Sequence, residues 1–211
     1  MSDHEPDTTG AHADLCRFLS ACHYEPSAVF AEERMFDSMA EAAERIDPAL
    51  AQCARRLGTA FAAQDLQPLL VDYTRLFLGP VGAPAKPYGS VWLGGGEGLM
   101  QDSTMAVLAL YREGGFELAE DFRELPDHVA AELEFLYVLI FRESLARRDG
   151  DAGALARVND LERRFLEAHL GRWIGRFTAA CRDNAQTDFY RALAELTDRF
   201  VSLERLRAGS A

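Results

Sequence analysis

The sequence predicts an all-α fold: a single bundle-like domain of about eight to ten helices at residues 13–207, with one long Gly/Pro-rich loop at residues 79–98. Apolar residues recur at the three- and four-residue spacing of amphipathic helices along most of the chain. No segment shows the strict apolar–polar alternation of strands, and there is no internal repeat. A chain of 211 residues is long enough to bury one core.

Four apolar stripes precede the loop. They are Leu15, Phe18, Leu19 and Cys22; Phe36, Met39, Ala43 and Ile46; Leu50, Cys53, Leu57 and Phe61; and Leu66, Leu69, Leu70, Tyr73, Leu76 and Phe77. Pro26 interrupts the chain after the first stripe, Pro48 follows the second, and Gly79-Pro80 ends the fourth, as expected of residues that stop helices. Residues 1–12 are polar and acidic, and we expect a disordered tail there.

Four more stripes follow the loop. They are Met100, Val107, Leu108 and Tyr111; Val129, Leu133, Leu136, Tyr137, Ile140, Phe141 and Leu145; Val158, Leu161, Phe165, Trp173 and Phe177; and Phe189, Leu193, Leu196, Phe200, Leu203 and Leu206. Gly114-Gly115 ends the first of these, and the segment 148–151 breaks the chain after the second. The third stripe predicts one continuous helix.

The loop is unusual in both length and composition. Residues 77–98 contain seven of the 16 glycines and three of the 8 prolines. Long loops inside compact domains are usually either functional or disordered. Tyr88 and Trp92 could pin the loop against the core or form one wall of a groove. The segment 94–98, GGGEG, does not fit the dinucleotide-binding spacing and is not followed by Gly-Lys-Ser/Thr, so a plain loop is favoured over a phosphate site.

Charge restricts the classes of partner. The net charge of −12 disfavours nucleic acid and anionic lipid surfaces and favours a basic peptide or protein. The first residues lack the features of a secretory signal, and no apolar stretch is long enough to span a membrane. We therefore expect a cytoplasmic protein that binds no nucleic acid and does not insert stably into membranes.

The four cysteines show neither metal-binding spacing nor the density of a disulfide scaffold. They are Cys16, Cys22, Cys53 and Cys181. Each lies among apolar neighbours, so we expect reduced, buried thiols.

The segment LPDHVAAELEF, residues 125–135, is the main candidate for chemistry. Pro126 suits the first turn of a helix, and Asp127 suits its positive N-terminal end. His128 and Glu132 lie four residues apart on one helical face, where they could form an ion pair, act as acid and base, or supply half of a metal site. Further metal ligands and a nucleophile are not evident, so a local ion pair is favoured.

Five segments, taken in order, resemble the TorD/DmsD-type family of redox-enzyme maturation chaperones. They are Cys22-His-Tyr24-Glu-Pro26; Tyr73-x-x-Leu76-Phe77-x-Gly79-Pro80; Pro87-Tyr88-Gly89-Ser90-Val91-Trp92-Leu93; Pro126-Asp127-His128 with Glu132-Leu133 and Phe135; and His169-Leu170-x-x-Trp173. The resemblance spans about residues 13 to 180. Lys86, where a second proline is common, and the glycine-rich segment 94–98 depart from the family pattern.

The resemblance implies an all-helical cytoplasmic chaperone without an enzymatic activity of its own and without a cofactor. Such proteins bind the twin-arginine signal peptide, or the apo form, of a molybdopterin-dependent oxidoreductase subunit, assist cofactor insertion and delay export. The implied peptide-binding residues are Tyr24, Tyr73, Leu76, Phe77, Pro87, Tyr88, Ser90, Trp92, Asp127, His128 and Glu132. We expect Asp127 and Glu132 to contact the arginines, His128 to orient them, and the aromatic residues to form an apolar groove.

Several alternatives stay open. A NarJ-like relative would bind the body of the enzyme rather than its leader. A small helical enzyme could use Asp127, His128 and Glu132. Binding of guanine nucleotide, suggested within the family, has only the segment 94–98 in its favour. The loop would join two halves of the domain, and such a hinge permits either a monomer or a segment-swapped dimer.

Overall fold

The structure, a computed structural model, describes residues 8–79, 82–94, 102–120 and 122–210. The α-helices are α1 (Thr9–Cys22), α2 (Val29–Glu32), α3 (Met35–Glu44), α4 (Pro48–Ala62), α5 (Leu66–Tyr73), α6 (Gly89–Leu93), α7 (Asp102–Glu113), α8 (Val129–Asp149), α9 (Ala152–Ala168), α10 (Leu170–Asn184) and α11 (Asp188–Ala208), and a π-helical turn, Thr74–Leu78, extends α5. Nine of the α-helices have eight or more residues. Among the described residues there is no strand beyond one isolated bridge, and the all-α prediction is confirmed.

Glycine and aspartate set the predicted break between α8 and α9. Gly150 ends α8 with a φ of 69°, a left-handed conformation that glycine adopts without steric cost. The Asp151 carboxylate then accepts a hydrogen bond from the amide of Ala154 at 2.9 Å and caps α9. The break predicted at 148–151 is therefore confirmed.

Helices from before and after the loop share one core. Helix α1 runs antiparallel to α8, because Ser20 Oγ donates to the Ala130 carbonyl at 2.9 Å and Cys16 Sγ to the Leu133 carbonyl at 3.2 Å. Helix α11 packs against both α4 and α10. The largest fully buried side chains come mostly from the second half of the chain: Tyr111, Phe135, Phe165, Trp173, Phe177, Phe189, Tyr190 and Phe200. The helices on either side of the loop are therefore interleaved within one core.

A buried aspartate on α5 fixes the start of α11. One oxygen of Asp72 accepts hydrogen bonds from the amides of Gln186 and Thr187 at 2.9 and 2.8 Å and from the Thr187 hydroxyl at 2.9 Å. Its other oxygen pairs with Arg75 at 2.7 Å. Asp72 is thus an N-terminal acceptor for α11, supplied from a distant helix.

A second buried polar cluster joins four helices. Arg207 of α11 donates to Glu143 of α8 at 2.5 Å, to Glu204 at 2.9 Å and to Glu162 of α9. His12 of α1 lies 2.5 Å from Glu204. Burial raises the pKa of Glu162 to about 8, although Arg207 opposes this rise, and the other two carboxylates raise it further.

Helix α1 begins at Thr9, so the disordered tail predicted for residues 1–12 is wrong over residues 9–12. His12 is buried and pairs with Glu204. This partner lies near the other end of the chain, so the polar composition of the segment gave no sign of it. Residues 1–7 of the predicted tail lie outside the described residues.

The stripe from Val158 to Phe177 belongs to two helices rather than the single helix that the sequence predicts. His169, between them, has φ −130° and ψ −99°, far from helical values. A Cβ at position 171 would overlap the Leu166 carbonyl oxygen, so Gly171 is needed for the close approach at this turn.

All four cysteines are free and buried, as predicted. Burial raises the pKa of the Cys16, Cys22 and Cys181 thiols, which keeps them protonated. None of the described helices combines the length and apolarity needed to cross a membrane.

Candidate functional site

The described part of the loop is pinned to the start of α8 by backbone hydrogen bonds. The amide of Gly89 donates to the Asp127 carbonyl at 2.8 Å, and the amide of Val129 donates to the Pro87 carbonyl at 2.8 Å. These bonds form the isolated antiparallel bridge between Tyr88 and His128. The two motifs that the resemblance singles out therefore lie against each other.

The side chain of Asp127 reinforces this junction. Its Oδ2 accepts a hydrogen bond from the amide of Ser90 at 2.7 Å, at the start of the short helix α6. A carboxylate near the first amides of a helix is favourable, because those amides have no partner within the helix. Asp127 is fully buried and Ser90 with it. Its role in this structure is to hold the loop.

Glu132 lies directly beneath the loop and joins α8 to α10. Its Oε2 accepts from Trp173 Nε1 at 3.1 Å and lies 2.9 Å from His169 Nδ1. His169 Nε2 lies 3.0 Å from the Ser103 carbonyl, which can only accept, so this nitrogen carries a proton. Burial raises the pKa of Glu132, while His169 and Trp173 oppose the rise. Burial lowers the pKa of His169, but Glu132, the Ser103 carbonyl and Asp127 together outweigh it, so that the pKa is raised.

This arrangement corrects the predicted contacts to arginine. Asp127 and Glu132 are both 0% exposed and His128 is 2% exposed, so a bound peptide cannot reach the two carboxylates in this structure. The predicted ion pair between His128 and Glu132 is also wrong, because Glu132 pairs with His169. The four-residue spacing placed them on one face correctly, but it could not show that α10 occupies that face.

Helix α8 begins three residues after Pro126, which the sequence places in its first turn. Pro126 lies in a turn before α8, whose first residue is Val129. His128 is the N-cap, and its Nδ1 accepts a hydrogen bond from the Ala130 amide at 3.2 Å. Burial lowers the pKa of His128 to about 4, so the ring is neutral near pH 7, as a hydrogen-bond-accepting Nδ1 requires.

The apolar groove expected from Tyr73, Leu76, Phe77 and Trp92 is not open in this structure. Leu76 and Phe77 are core residues, and Phe77 packs against Phe177 at 6.0 Å between ring centroids. Tyr73 and Pro87 are buried as well. Trp92 is half-buried, and its Nε1 donates to the Lys86 carbonyl at 2.8 Å. These aromatic residues fix the loop to the core, which is the simpler of the two predicted roles.

Two tyrosines of the predicted site do reach the surface. The Tyr24 ring stacks on His128 at 6.0 Å, and the Tyr88 ring meets His128 edge-on at 5.4 Å. Tyr24 donates its hydroxyl proton to Glu134 at 3.0 Å, and Tyr88 donates to Glu124 at 2.6 Å. We call these four residues, Tyr24, Tyr88, Glu124 and Glu134, the tyrosine–glutamate rim.

The rim carries negative charge without a cation. Within the described residues, neither Glu124 nor Glu134 forms an ion pair. Burial, and then the neighbouring glutamates, raise the pKa of Tyr24 and of Tyr88, so both phenols remain protonated donors. Burial likewise raises the pKa of Tyr73 to about 12.

Sequence reasoning did not identify Glu124 and Glu134. Glu134 is two residues after Glu132, and a two-residue step turns by roughly 200° around a helix, so the two side chains face opposite ways. Glu124 lies in a segment without helical periodicity. The one available signal was the −12 net charge, which does not indicate position.

The metal site considered for His128 and Glu132 has no support among the described residues. These residues contain no cluster of three or more His, Cys, Asp or Glu side chains that could hold a metal ion. Of the segment 94–98, only Gly94 is described, so nucleotide binding there stays a prediction.

A family model described as nitrate reductase delta subunit matches residues 39–179. This is about two thirds of the chain and includes the loop, the Asp127 motif and the His169–Trp173 segment.

Three relatives illustrate the sequence similarity. A Tat proofreading chaperone, DmsD, from Salmonella typhimurium is 34% identical over 124 residues, 59% of this chain and 54% of the relative. A chaperone protein, TorD, from Vibrio parahaemolyticus is 30% identical over 138 residues, 64% and 62% of the two chains. A selenate reductase assembly chaperone protein from Thauera selenatis is 37% identical over 107 residues, 49% and 52%. The alignments thus span about half to three fifths of these relatives.

The fold also resembles a solved structure. The crystal structure of a candidate redox enzyme maturation protein from Archaeoglobus fulgidus matches with a TM-score of 0.55 and 19% identity, covering 90% of this chain and 93% of that one. At this identity the match supports the arrangement of helices and not a particular partner.

Proposed function

This chain belongs to the TorD/DmsD-type family of redox-enzyme maturation chaperones, which the nitrate reductase delta subunit model describes, and we propose that it binds the twin-arginine signal peptide of a molybdopterin-dependent oxidoreductase subunit. In this role the protein holds the apo subunit in the cytoplasm, assists insertion of its cofactor and delays its export. The names of the three relatives all describe chaperones, and two of them refer to Tat proofreading or reductase assembly.

The tyrosine–glutamate rim is the observation that carries this proposal. The carboxylates of Glu124 and Glu134 lie beside tyrosine hydroxyls at the surface. Among the described residues, neither has an ion-pair partner. An arginine guanidinium binds a carboxylate through two parallel hydrogen bonds and also stacks on aromatic faces, which Tyr24 and Tyr88 provide. A pair of arginines therefore suits the rim better than a pair of lysines.

The energetics are compatible with micromolar binding. A hydrogen bond to a charged group contributes about 1.5–3 kcal/mol, and ordering a flexible peptide costs on the order of 2–5 kcal/mol. The arginines alone would then roughly offset the ordering cost. An apolar segment must supply most of the roughly 8 kcal/mol that a micromolar dissociation constant requires.

The proposal is tested by fluorescence anisotropy with a labelled twin-arginine leader peptide, at low and high salt. We expect Glu124→Gln and Glu134→Gln each to weaken binding by about tenfold, because each removes a charged hydrogen-bond acceptor. Glu41→Gln, an exposed glutamate on α3, is the matched control and should bind as the parent does. A peptide with lysines in place of the paired arginines should bind more weakly, and salt should weaken all complexes.

If Glu124→Gln and Glu134→Gln bind the leader peptide as tightly as the Glu41→Gln control does, the arginines do not bind the rim. The original assignment to Asp127 and Glu132 would then require that the loop opens on binding.

An assembly chaperone that binds the body of the enzyme is the second candidate function. The description of the family model and the name of the Thauera selenatis relative favour it, since neither refers to a leader peptide. Failure to bind any leader, combined with capture of the apo subunit lacking its leader, would establish this function instead.

A helical enzyme built on Asp127, His128 and Glu132 is disfavoured by geometry. All three side chains are buried, and their polar atoms hold the loop and α10. That the chaperone works without a cofactor or nucleotide stays a prediction, and titration with GTP tests it. Whether it acts as a monomer or as a segment-swapped dimer is measured by light scattering coupled to size exclusion.

A further inference from the structure

The solvent-facing side of α8 carries four apolar side chains, beside Arg142 and Ser144. The four are Tyr137, Val138, Phe141 and Leu145, which we call the α8 stripe. Phe141 is 44% exposed, and the other three are half-buried. The Phe141 ring lies 5.9 Å from that of Tyr137. A surface helix normally presents polar residues on this face, so the stripe is a candidate contact surface.

The stripe begins at the tyrosine–glutamate rim. Glu134, Val138, Phe141 and Leu145 follow each other at intervals of four, three and four residues, which places them along one line of the helix. Negative charge therefore stands at the N-terminal end of this line and apolar side chains follow it. At 1.5 Å per residue, the line from Glu134 to Leu145 is roughly 17 Å long.

A cleft continues this surface at the far end of α8. It has a volume of about 720 Å³, lies between α8 and α9, and includes Leu145 in its lining. Apolar side chains such as Leu139, Val158 and Leu161 line it together with charged groups. The cleft thus adjoins the end of the stripe at Leu145 and has a mixed apolar and charged lining.

We propose that the α8 stripe seats the apolar segment of the client leader, which binds as a helix running in the same direction as α8, with its arginines on the rim and its end at the cleft. This inference rests on the proposed function. A leader places its basic residues before an apolar stretch of about 7–15 residues, which is the order of charge and apolarity along α8.

Length favours a helix over an extended peptide. A helix of about 7–15 residues is roughly 10–22 Å long, which brackets the line from Glu134 to Leu145. The same residues fully extended would span about 23–50 Å and overrun it.

Two labelled synthetic peptides test the proposal by anisotropy. One carries paired arginines followed by an apolar segment of about twelve leucines and alanines, and the other has a serine-rich segment of equal length in that place. We expect Phe141→Ser to weaken binding of the apolar peptide roughly three- to tenfold, since half of a phenylalanine surface is no longer buried. Binding of the serine-rich peptide should not change.

Val71→Ser is the matched control, because Val71 is an exposed apolar residue on α5, far along the chain from α8. It should bind both peptides as the parent does. Circular dichroism melts of both variants confirm that they are folded.

A photoreactive group at the C-terminal end of the apolar segment tests the direction. We expect cross-links to the tryptic fragment 143–147, which contains Leu145, or to the fragment 149–157, which contains the start of α9. Cross-links to the fragment that contains Tyr24 would overturn the proposed direction.

The outcomes separate this inference from the proposed function. If Phe141→Ser binds the peptides as Val71→Ser does while the rim variants lose affinity, the apolar segment does not bind the α8 stripe. The proposal that the protein binds a leader peptide then stands. If neither peptide binds and no variant changes binding, both the α8 stripe proposal and the proposed function are wrong. A parent that is dimeric by light scattering, with Phe141→Ser monomeric, would assign the stripe to a second copy of the chain and overturn the proposal.

Discussion

At the scale of single residues, the site depends on how closely the loop approaches the core. Gly89 is the point of closest approach, because a Cβ there would lie 3.0 Å from both Glu132 Oε1 and Trp173 Nε1. Glu132 and Trp173 are hydrogen-bonded to each other, so a shift of either to make room for a Cβ strains that bond. Glycine suits this position for reasons of space rather than of backbone conformation.

Gly89→Ala should therefore destabilise the fold by about 1–3 kcal/mol, the usual cost of overpacking. Gly10→Ala is the matched control, because a Cβ there meets nothing within 4 Å and alanine is the better helix former. Urea unfolding followed by circular dichroism measures both variants. A Gly89→Ala protein as stable as Gly10→Ala would show that the loop is not held against Glu132.

The limits of sequence reasoning are clearest at this scale. The sequence predicts that Asp127 and Glu132 contact a ligand, whereas in the structure Asp127 binds the loop and Glu132 binds α10. Periodicity shows which residues share a face, and that information is local. Whether a face is covered depends on partners such as Trp173, which lies 41 positions after Glu132 in the sequence.

At the scale of secondary-structure elements, sequence reasoning succeeds where the signal is local. The break at 148–151 depends on Gly150 and Asp151 themselves, and both act within the two helices that they separate. The division at His169 was missed because the apolar stripe continues across it, and the partner of His169, Glu132, lies on another helix. The approximate number of helices was therefore predictable, while the starts of α1 and α8 and the division at His169 were not.

Asp72 offers a test of contacts between elements. Asp72→Ala removes a buried carboxylate that accepts three hydrogen bonds from Gln186 and Thr187 and pairs with Arg75, and we expect a loss of about 2–4 kcal/mol in the free energy of unfolding. Asp47→Ala, which removes a local N-cap from α4, should cost only about 1 kcal/mol. Thermal melts compare the two. A smaller loss at Asp72 than at Asp47 would contradict the role given to Asp72.

At the scale of the whole molecule, the cluster around Arg207 connects α1, α8, α9 and α11. The Arg207 guanidinium pairs with three buried carboxylates, those of Glu143, Glu162 and Glu204. His12 also pairs with Glu204, and Arg147 also pairs with Glu143. Because the pKa of Glu162 is raised to about 8, the folded chain holds a proton there that the unfolded chain loses above about pH 4.5. This group therefore lowers stability as the pH rises from about 4.5 to 8.

Arg207→Leu should cost about 3–5 kcal/mol at pH 8, because it leaves buried carboxylates without their cation. The deficit should shrink toward pH 5, where protonation removes the uncompensated charge. Arg199→Leu, which breaks an exposed ion pair on the same helix, should cost less than about 1 kcal/mol at either pH. Urea melts at the two pH values measure this, and a deficit independent of pH would contradict the predicted protonation.

The packing of α1 against α8 has a consequence for biosynthesis. Helix α1 is synthesised more than a hundred residues before its main partner, α8, and His12 is synthesised 192 residues before Glu204. Contacts between distant parts of a chain form slowly, since a long loop must close first. The nascent chain therefore exposes the apolar stripe of α1 until α8 has been made, and such exposed apolar surface favours aggregation during folding.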